Sequence, residues 1–212
     1  QRIGLLGGTF DPVHNGHLYV AETVKSRCQL GALLFIPAAH PPHKSLEQIT
    51  SFSIRAAMLE EAVKGWPGFF VSTLEAERPG PSYSIDTLRT IQERLGHVGL
   101  YFVIGIDAFA DLGSWKEWER LLDYAHLVVI DRPPFRGDYL EKTVNRLFPD
   151  YRYNPSLTAW VGGKSGRIHL LDVEPMAVSA TEIRERARTG RPIGDLVPAP
   201  VAEYLRHHHL YR

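Results

Sequence analysis

The chain has 212 residues, of which 44% are hydrophobic and 23% charged, and this globular balance excludes a disordered chain. Its 24 Lys and Arg residues equal its 24 Asp and Glu residues, so no net positive field favours sequence-independent binding to DNA or to a membrane. We expect a single domain over residues 1–212, either monomeric or homo-oligomeric, whose partners are small molecules and neither nucleic acid nor a membrane.

The single cysteine, Cys28, cannot form a disulfide within the chain. No apolar run approaches the ~18 residues that a membrane span needs, and Gly7-Gly8 comes too early for a signal peptide. We therefore expect a reducing, cytoplasmic location. Because the first residue is Gln1, we also expect the numbering to begin slightly inside the natural chain.

Short apolar runs alternate with segments of helical periodicity along most of the chain. Such alternation is typical of a parallel sheet that is buried on both faces. We therefore predict an α/β fold, a doubly wound Rossmann-like parallel sheet with helices on both faces and a small C-terminal helical element. Strands are expected at residues 3–7, 33–36, 69–74, 100–105, 126–130 and 168–173, and helices at 18–28, 54–65, 84–95, 115–122, 139–147, 181–188 and 201–206. Residues 133–166, rich in Pro and Gly, are expected to form a variable excursion.

The string GGTFDPVHNGH at residues 7–17 lies between the first strand and the first helix. Glycines let the backbone approach an anion, and a helix N-terminus presents free N–H groups and a positive dipole end. His14 and His17 are three residues apart, so they project from one face. A glycine turn with incidental surface histidines is the alternative, but the whole string in this context predicts an oligophosphate site. It lacks the signatures of P-loop and hydride-transferring Rossmann domains.

A second string, VSATEIR at residues 178–184, begins the sixth predicted helix. Ser179 or Thr181, with Glu182, is expected at the helix start, and Arg184 follows one turn later. Hydroxyls at a helix N-terminus beside an arginine suit a triphosphate. In isolation the string is more typical of a capped amphipathic helix with a solvated arginine. Its pairing with the first string favours the phosphate site.

Three further residues are expected at strand ends. Pro41-Pro42 holds a loop extended and would present His43 and Lys44 toward the strand end that carries His14, although an ordinary basic surface loop has the same composition. Asp107 follows the fourth strand, where an acid can accept ribose hydroxyls, cap a helix, or do both.

Residues 7–12 followed by His14-x-x-His17 resemble the nucleotidylyltransferase superfamily, whose His-x-Gly-His element is shared with class I aminoacyl-tRNA synthetases. The closest resemblance is to the bacterial nicotinate-mononucleotide adenylyltransferases, and it covers nearly the whole chain. It implies an enzyme of NAD biosynthesis that transfers the adenylyl group of ATP to nicotinate mononucleotide, giving deamido-NAD and pyrophosphate. Mg²⁺ is expected with ATP, bridging phosphates with mostly water ligands and without a protein metal site.

The resemblance also implies roles for individual residues, with residues 178–212 completing the ATP site. The expected catalytic residues, which hold or neutralise the reacting phosphates, are His14, His17, Lys44 and Arg184. The expected ATP-binding residues are Gly7, Gly8, Thr9, Phe10, Gly105, Asp107, Ser179 and Thr181. The expected mononucleotide-binding residues are Tyr83, Ser84, Trp115, Lys116 and Arg132.

The residues expected to bind the mononucleotide could instead have purely structural roles. In the family, the segment at residues 81–88 gives main-chain and hydroxyl donors to the nicotinate carboxylate, but Ser82 or Ser84 is also expected as a helix N-cap. Trp115 matches a tryptophan that stacks on the pyridine ring, and Trp118 is assigned to the core. Lys116 departs from the aromatic residue of some relatives, which is harmless if only its main-chain N–H binds. Arg132 is otherwise a surface ion pair.

Two other functions are kept. One is another small nucleotidylyltransferase, acting on pantetheine phosphate or transferring a cytidylyl group, but such chains are usually shorter and lack the Pro-Ser-Tyr-Ser and Trp115 segments together. The other is a non-catalytic nucleotide-binding module, which the loss of His14, His17 or Arg184 would have favoured.

Overall fold

The computed structural model describes residues 1–42, 49–96, 98–131, 139–174 and 176–212. The chain divides into two compact units. The first unit comprises Gln1–Leu6, Val24–Ala32 and Tyr83–Pro175, and the second comprises Gly7–Thr23, Leu33–Ser82 and Met176–Arg212. The predictions for His43, Lys44 and Arg132 lie outside the described residues.

Strands and helices alternate as far as the fifth strand. The strands are β1 (Arg2–Gly8), β2 (Ala32–Pro37), β3 (Phe69–Val71), β4 (Gly99–Gly105), β5 (Ala125–Asp131), β6 (Arg152–Asn154), β7 (Ala159–Val161) and β8 (Ile168–Asp172). The α-helices are α1 (Asn15–Arg27), α2 (Phe52–Val63), α3 (Ser84–Leu95), α4 (Ile106–Ala110), α5 (Leu121–Tyr124), α6 (Tyr139–Leu147), α7 (Ala180–Arg188) and α8 (Ala199–His207). Short 3-10 helices cover Leu74–Glu77, Leu112–Ser114 and Trp118–Arg120.

The sheet is mostly parallel, as predicted. Its eight strands follow the order β3-β2-β1-β4-β5-β8-β7-β6. In the first unit β4 pairs in parallel with β1 and β5, and β5 pairs in parallel with β8. In the second unit β2 pairs in parallel with β3. Because consecutive parallel strands need a crossover, the helices between them lie around the sheet, which is the predicted Rossmann-like arrangement.

The core of the first unit is built on β4 and β5. Five consecutive residues of β4, from Leu100 to Ile104, are buried, and so are the four from Leu127 to Ile130 in β5. Such unbroken apolar runs are typical of strands covered on both faces. Of the helices in the described ranges, none has the length and apolar character that a membrane crossing requires.

Helix bounds with strong local periodicity were predicted well. Helices α3 and α6 occupy the expected residues, and α7 begins one residue before the expected start at Thr181. Helix α2 begins at Phe52, two residues before the expected start at residue 54. Its buried face carries Arg55 together with Met58 and Leu59.

Four other predictions are corrected. Strand β3 ends at Val71, because a 3-10 turn begins at Leu74. Residues 115–122 do not form one helix, because Trp115 is extended and Glu117 is left-handed, with φ of 47°. The excursion contains an antiparallel hairpin, β6–β7, that extends the sheet from β8. Gly105 and not Asp107 caps α4, a helix that the sequence analysis did not predict.

Candidate active site

The loop after β1 is shaped by Phe10. This residue has a left-handed backbone, with φ of 51°, and its side chain is buried. Its ring lies against Gly8, where an added Cβ would come within 3.0 Å of the ring, so a larger residue would displace Phe10. The same ring meets the His17 ring edge-on, with centroids 4.9 Å apart. The second glycine of the motif therefore makes room for the residue that supports a histidine.

His14 and His17 form a stacked pair at the start of α1. Their ring centroids are 3.7 Å apart, and the backbone N–H of His14 donates to Nδ1 of His17 at 3.2 Å. Because Nδ1 accepts this bond, the ring proton of neutral His17 resides on Nε2. The motif thus fixes both the orientation and the tautomer of one histidine through the backbone of the other.

Burial sets the protonation state of His14. The residue is 9% exposed, and desolvation lowers the pKa of its imidazole from 6.5 to about 4. His14 is therefore neutral at neutral pH. Its Nδ1 atom is buried and has no hydrogen-bond partner among the described residues. Buried polar atoms in native proteins are nearly always hydrogen-bonded, so this unpaired atom is compatible with a functional role.

Gly16 lets the C-terminal segment approach the histidines. A Cβ at this position would lie 2.9 Å from Cγ1 of Val178 and 3.1 Å from Nδ1 of His14. Val178 immediately precedes the N-terminus of α7. The glycine between the two histidines is therefore required by the packing of the second sequence string on the first.

Ser179 caps α7, which confirms one of the two predicted starts. Its hydroxyl accepts from the backbone N–H of Glu182 at 3.2 Å. Arg184, one turn further, donates to the backbone carbonyl of Asp11 at 2.7 Å and to the hydroxyl of Thr181 at 3.3 Å. The guanidinium is half-buried, so the arginine is held in place and is not a freely solvated helix residue.

These residues surround one cavity of about 460 Å³. It has the volume of a small-molecule site, and its lining combines imidazole rings, a guanidinium, a hydroxyl and the first residues of α7. The first N–H groups of a helix have no acceptor within the helix, so this lining favours an anion. The lining residues are Thr9, Phe10, Asp11, His14, His17, Ile49, Ala180, Thr181 and Arg184.

The sequence analysis missed the buried Arg55, whose hydrogen bonds hold the loop after β1 in place. The side chain is 1% exposed, and its guanidinium donates to three backbone carbonyls: Thr50 at 2.8 Å, Thr9 at 2.7 Å and Ala38 at 2.9 Å. Burial lowers the pKa of Arg55, and Asp11 opposes that shift. The available signal was an arginine at helical spacing from Met58, on the buried face of α2.

Asp11 and Tyr211 were missed as well. Asp11 is 5% exposed, and its carboxylate accepts from the hydroxyl of Tyr211 at 2.5 Å and from the backbone N–H of Thr50 at 3.2 Å. Asp11 belongs to the first string, but no local pattern links it to a tyrosine 200 residues away.

The start of α3 in the first unit carries the predicted residues Tyr83 and Ser84. Neither serine caps this helix, because Tyr83 occupies the cap position and Ser84 is its first helical residue. The Ser82 hydroxyl, within the second unit, instead accepts from the backbone N–H groups of Ala39 and His40 at 3.1 and 3.0 Å. The capping prediction was therefore wrong for both serines.

Two acids near Ser84 are already paired with cations. Asp86 accepts from Lys116 at 2.9 Å and from Arg89 at 3.3 Å. Glu117 accepts from Arg89 at 3.1 Å and from Arg120 at 2.9 Å. The ammonium of Lys116 also lies 5.0 Å from the ring centroid of Tyr83. The carboxylates are thereby engaged as acceptors within the protein.

The other predicted residues of the first unit lie at or near the end of β4. Gly105 ends the strand, and Asp107 is exposed in the first turn of α4. Trp115 is half-buried and meets Phe102 edge-on at 6.4 Å. Trp118 is half-buried too, so its assignment to the core is only partly right.

Comparisons with known proteins identify the family of the chain. Residues 5–186 match the cytidylyltransferase-like family. The chain is 36% identical over 212 residues to the "Probable nicotinate-nucleotide adenylyltransferase" of Geotalea uraniireducens, covering 100% of this chain and 98% of the relative. It is 41% identical over 213 residues to the protein of that name in Pseudomonas putida KT2440, covering 100% and 91%.

The fold has a solved counterpart. The Plasmodium falciparum nicotinic acid mononucleotide adenylyltransferase complexed with NaAD superposes with a TM-score of 0.77 at 21% identity, covering 100% of this chain and 97% of that one. This likeness shows the shared fold. The matches over the whole length of the chain place the protein by descent: it belongs to the cytidylyltransferase-like family and, within it, to the nicotinate-nucleotide adenylyltransferases.

Proposed function

We propose that the chain transfers the adenylyl group of ATP to nicotinate mononucleotide and releases pyrophosphate. The observation that carries this proposal is the cavity of the second unit, where His14 and His17 meet Thr181 and Arg184 from the far end of the sequence. Hydrogen-bond donors and a fixed positive charge around one cavity suit a triphosphate. We infer the nucleotide that accepts the adenylyl group from the names of the relatives, which match this chain over its whole length.

In this reaction the phosphate of the mononucleotide attacks the α-phosphorus of ATP in line. The attacking oxygen is already anionic, so neither a general base nor a covalent nucleophile is needed. The chain's contribution is positioning and charge stabilisation. His17 would lie nearest the α-phosphate, His14 would donate to the reacting phosphates as a neutral imidazole, and Arg184 and Lys44 would neutralise charge on pyrophosphate and substrate.

Other residues would bind the two nucleotides. We assign to ATP the residues Gly7, Gly8, Thr9, Phe10, Gly105, Asp107, Ser179 and Thr181, so that residues 178–212 complete its site. We assign to the mononucleotide the residues Tyr83, Ser84, Trp115, Lys116 and Arg132. The described residues contain no group of three His, Cys, Asp or Glu residues that could hold a metal ion. Mg²⁺ would accompany ATP with mostly water ligands and would neutralise charge on the phosphates.

The ion pairs near Ser84 support a preference for nicotinate over nicotinamide. A carboxylate only accepts hydrogen bonds, whereas the amide nitrogen of nicotinamide only donates. Asp86 and Glu117 are the nearby acids in sequence, and both already accept from cations. A site that offers main-chain N–H groups and a hydroxyl would leave the amide NH₂ without an acceptor, which costs several kcal/mol if buried.

The experiment is a pyrophosphate-release assay of the purified chain with ATP or CTP and three acceptors: nicotinate mononucleotide, nicotinamide mononucleotide and phosphopantetheine. We expect release with ATP and nicotinate mononucleotide. Release only with CTP, or only with phosphopantetheine, would assign the chain to another nucleotidylyltransferase activity. No release with any pair, together with ATP binding, would indicate a non-catalytic nucleotide-binding module.

A further inference from the structure

A hydrogen-bond network behind the triphosphate cavity joins the two ends of the second unit at Asp11. The carboxylate of this buried residue accepts from the hydroxyl of Tyr211 at 2.5 Å, and its backbone carbonyl accepts from Arg184 at 2.7 Å. Asp11 is thus held by the C-terminal tail on one side and holds the cavity arginine on the other.

We propose that Tyr211 is a positioning residue for the triphosphate site, which through Asp11 fixes the place of the Arg184 guanidinium. Tyr211 is absent from the cavity lining, whereas Asp11 and Arg184 both line it. Tyr211 therefore acts on the ligand through Asp11. The inference rests on the proposed function, because it concerns the binding of ATP.

The network also fixes a second wall of the cavity. The backbone N–H of Thr50 donates to the other carboxylate oxygen of Asp11 at 3.2 Å, and the Thr50 carbonyl accepts from Arg55 at 2.8 Å. Arg55 in turn donates to the Thr9 carbonyl at 2.7 Å. Ile49, beside Thr50, lines the cavity. The carboxylate and backbone carbonyl of Asp11, together with the guanidinium of Arg55, thereby tie together the walls around residues 9–11, 49–50 and 184.

The backbone of Tyr211 adopts an unfavourable left-handed conformation. Tyr211 has φ of 63° and His209 has φ of 50°, a region that bulky residues rarely adopt. Such conformations persist where the surrounding contacts determine them. Burial and the bond to Asp11 also raise the pKa of the Tyr211 phenol, so the hydroxyl stays protonated as a donor.

Removing one hydroxyl tests the proposal. In Tyr211→Phe we expect the KM and Kd for ATP to rise about 5- to 30-fold, less than the full effect of losing a bond to a charged group because the lost bond is not made to the ligand itself. The KM for nicotinate mononucleotide should stay within about twofold. The matched control is Tyr204→Phe on α8, which removes a hydroxyl from a ring packed against His208 and should change neither constant. Circular dichroism at the assay temperature verifies that each variant is folded.

A purely structural role is distinguished by the pattern of constants. Loss of folded enzyme lowers the apparent kcat for both substrates and leaves both KM values unchanged. The double variant Tyr211→Phe with Arg184→Ala gives the second test: if Tyr211 acts through Arg184, its ATP Kd equals that of Arg184→Ala alone. Independent, additive losses would overturn the coupling.

The outcomes separate the two proposals. Wild-type protein that neither binds ATP nor releases pyrophosphate would refute the proposed function itself. Wild-type protein that does both, with a Tyr211→Phe variant that binds ATP equally well, would refute only the role of Tyr211. If Tyr211→Phe does not fold, Thr50→Val replaces it, because it removes the Thr50 hydroxyl that bonds to the Tyr211 phenol. The Kd for ATP is again expected to rise.

Discussion

At the residue scale, the two histidines are predicted to act on the reaction and not on the fold. His17 lines the cavity, and its Nδ1 is oriented by the backbone of His14. We expect His17→Ala to lower kcat by at least ~10²-fold, the scale for losing one preorganised donor to a developing charge. A steady-state assay with saturating substrates measures it. The assignment would be wrong if a folded variant turned over at close to the wild-type rate.

We predict that Arg184 binds the triphosphate of ATP. Its bonds to Asp11 and Thr181 hold the guanidinium at the cavity. Arg184→Ala should raise the KM for ATP, lower kcat, or both, and leave the affinity for nicotinate mononucleotide near normal, because a charge-assisted bond is worth about 1.5–3 kcal/mol.

The matched control is Arg188→Ala on the same helix, where the arginine is exposed and paired with Glu185 at 2.8 Å. It should leave the kinetics with ATP unchanged. Equal ATP binding by wild type and Arg184→Ala in isothermal titration, with normal turnover, would make Arg184 a purely structural residue.

Residues of the site could be predicted from the sequence where they belong to a short local motif. His14, His17, Ser179 and Arg184 stand in two short motifs, and the structure brings both motifs to one cavity. Tyr211 could not be predicted, because its bond spans 200 residues of sequence and depends on the tertiary fold. Arg55 was missed for another reason: a charged side chain on an apolar face is read as polar until its three carbonyl partners are known.

At the scale of the element, α7 has two functions that one pair of variants can separate. The Ser179 hydroxyl caps the helix, and the N-terminus of the helix is assigned to phosphate. Ser179→Ala should lower the free energy of unfolding by about 0.5–2 kcal/mol. Ser179→Asp keeps the cap but places a negative charge beside the assigned anion site. We therefore expect wild-type stability with a raised KM for ATP.

Urea unfolding and steady-state kinetics measure these two effects. Ser179→Asp that binds ATP normally would remove the α7 N-terminus from the ATP site. A Ser179→Ala variant of wild-type stability would instead show that the cap contributes nothing to the fold.

Helices with a continuous periodic face were predictable as elements, and short irregular ones were not. The bounds of α3 and α6 follow from their own sequences. Strands β6 and β7 have three residues each, too few to display a period, and they exist because they pair with one another and with β8. Residues 112–120 were predicted wrongly because the left-handed backbone at Glu117 is a tertiary feature.

At the scale of the whole molecule, two half-buried histidines predict an acid-sensitive fold. In the first unit His126 and His169 lie on the neighbouring strands β5 and β8 with ring centroids 5.9 Å apart, and Tyr101 packs on both. Arg2 and Arg167 are the charged neighbours, and burial lowers the pKa of both imidazoles, that of His126 from 6.5 to about 4.

The direction of the change in stability with pH follows from proton uptake by the unfolded chain. Between about pH 6.5 and 4 the unfolded chain binds a proton at His126 that the folded chain does not, so stability falls as the pH falls through this window. Urea unfolding at several pH values should show a shallower decline for His126→Asn, whose amide oxygen can still accept from the Arg167 N–H. Parallel pH profiles for the two proteins would contradict the assignment.

The central claim concerns the whole reaction, and the ratio of kcat/KM for nicotinate and nicotinamide mononucleotides tests it most directly. With ATP saturating, pyrophosphate and dinucleotide should form one to one, and kcat/KM for nicotinate mononucleotide should exceed that for nicotinamide mononucleotide by at least ~10²-fold, because a donor-lined pocket leaves the amide NH₂ unpaired. Equal efficiency with both would contradict the donor-lined pocket, and pyrophosphate release without a dinucleotide product would contradict adenylyl transfer to a pyridine mononucleotide.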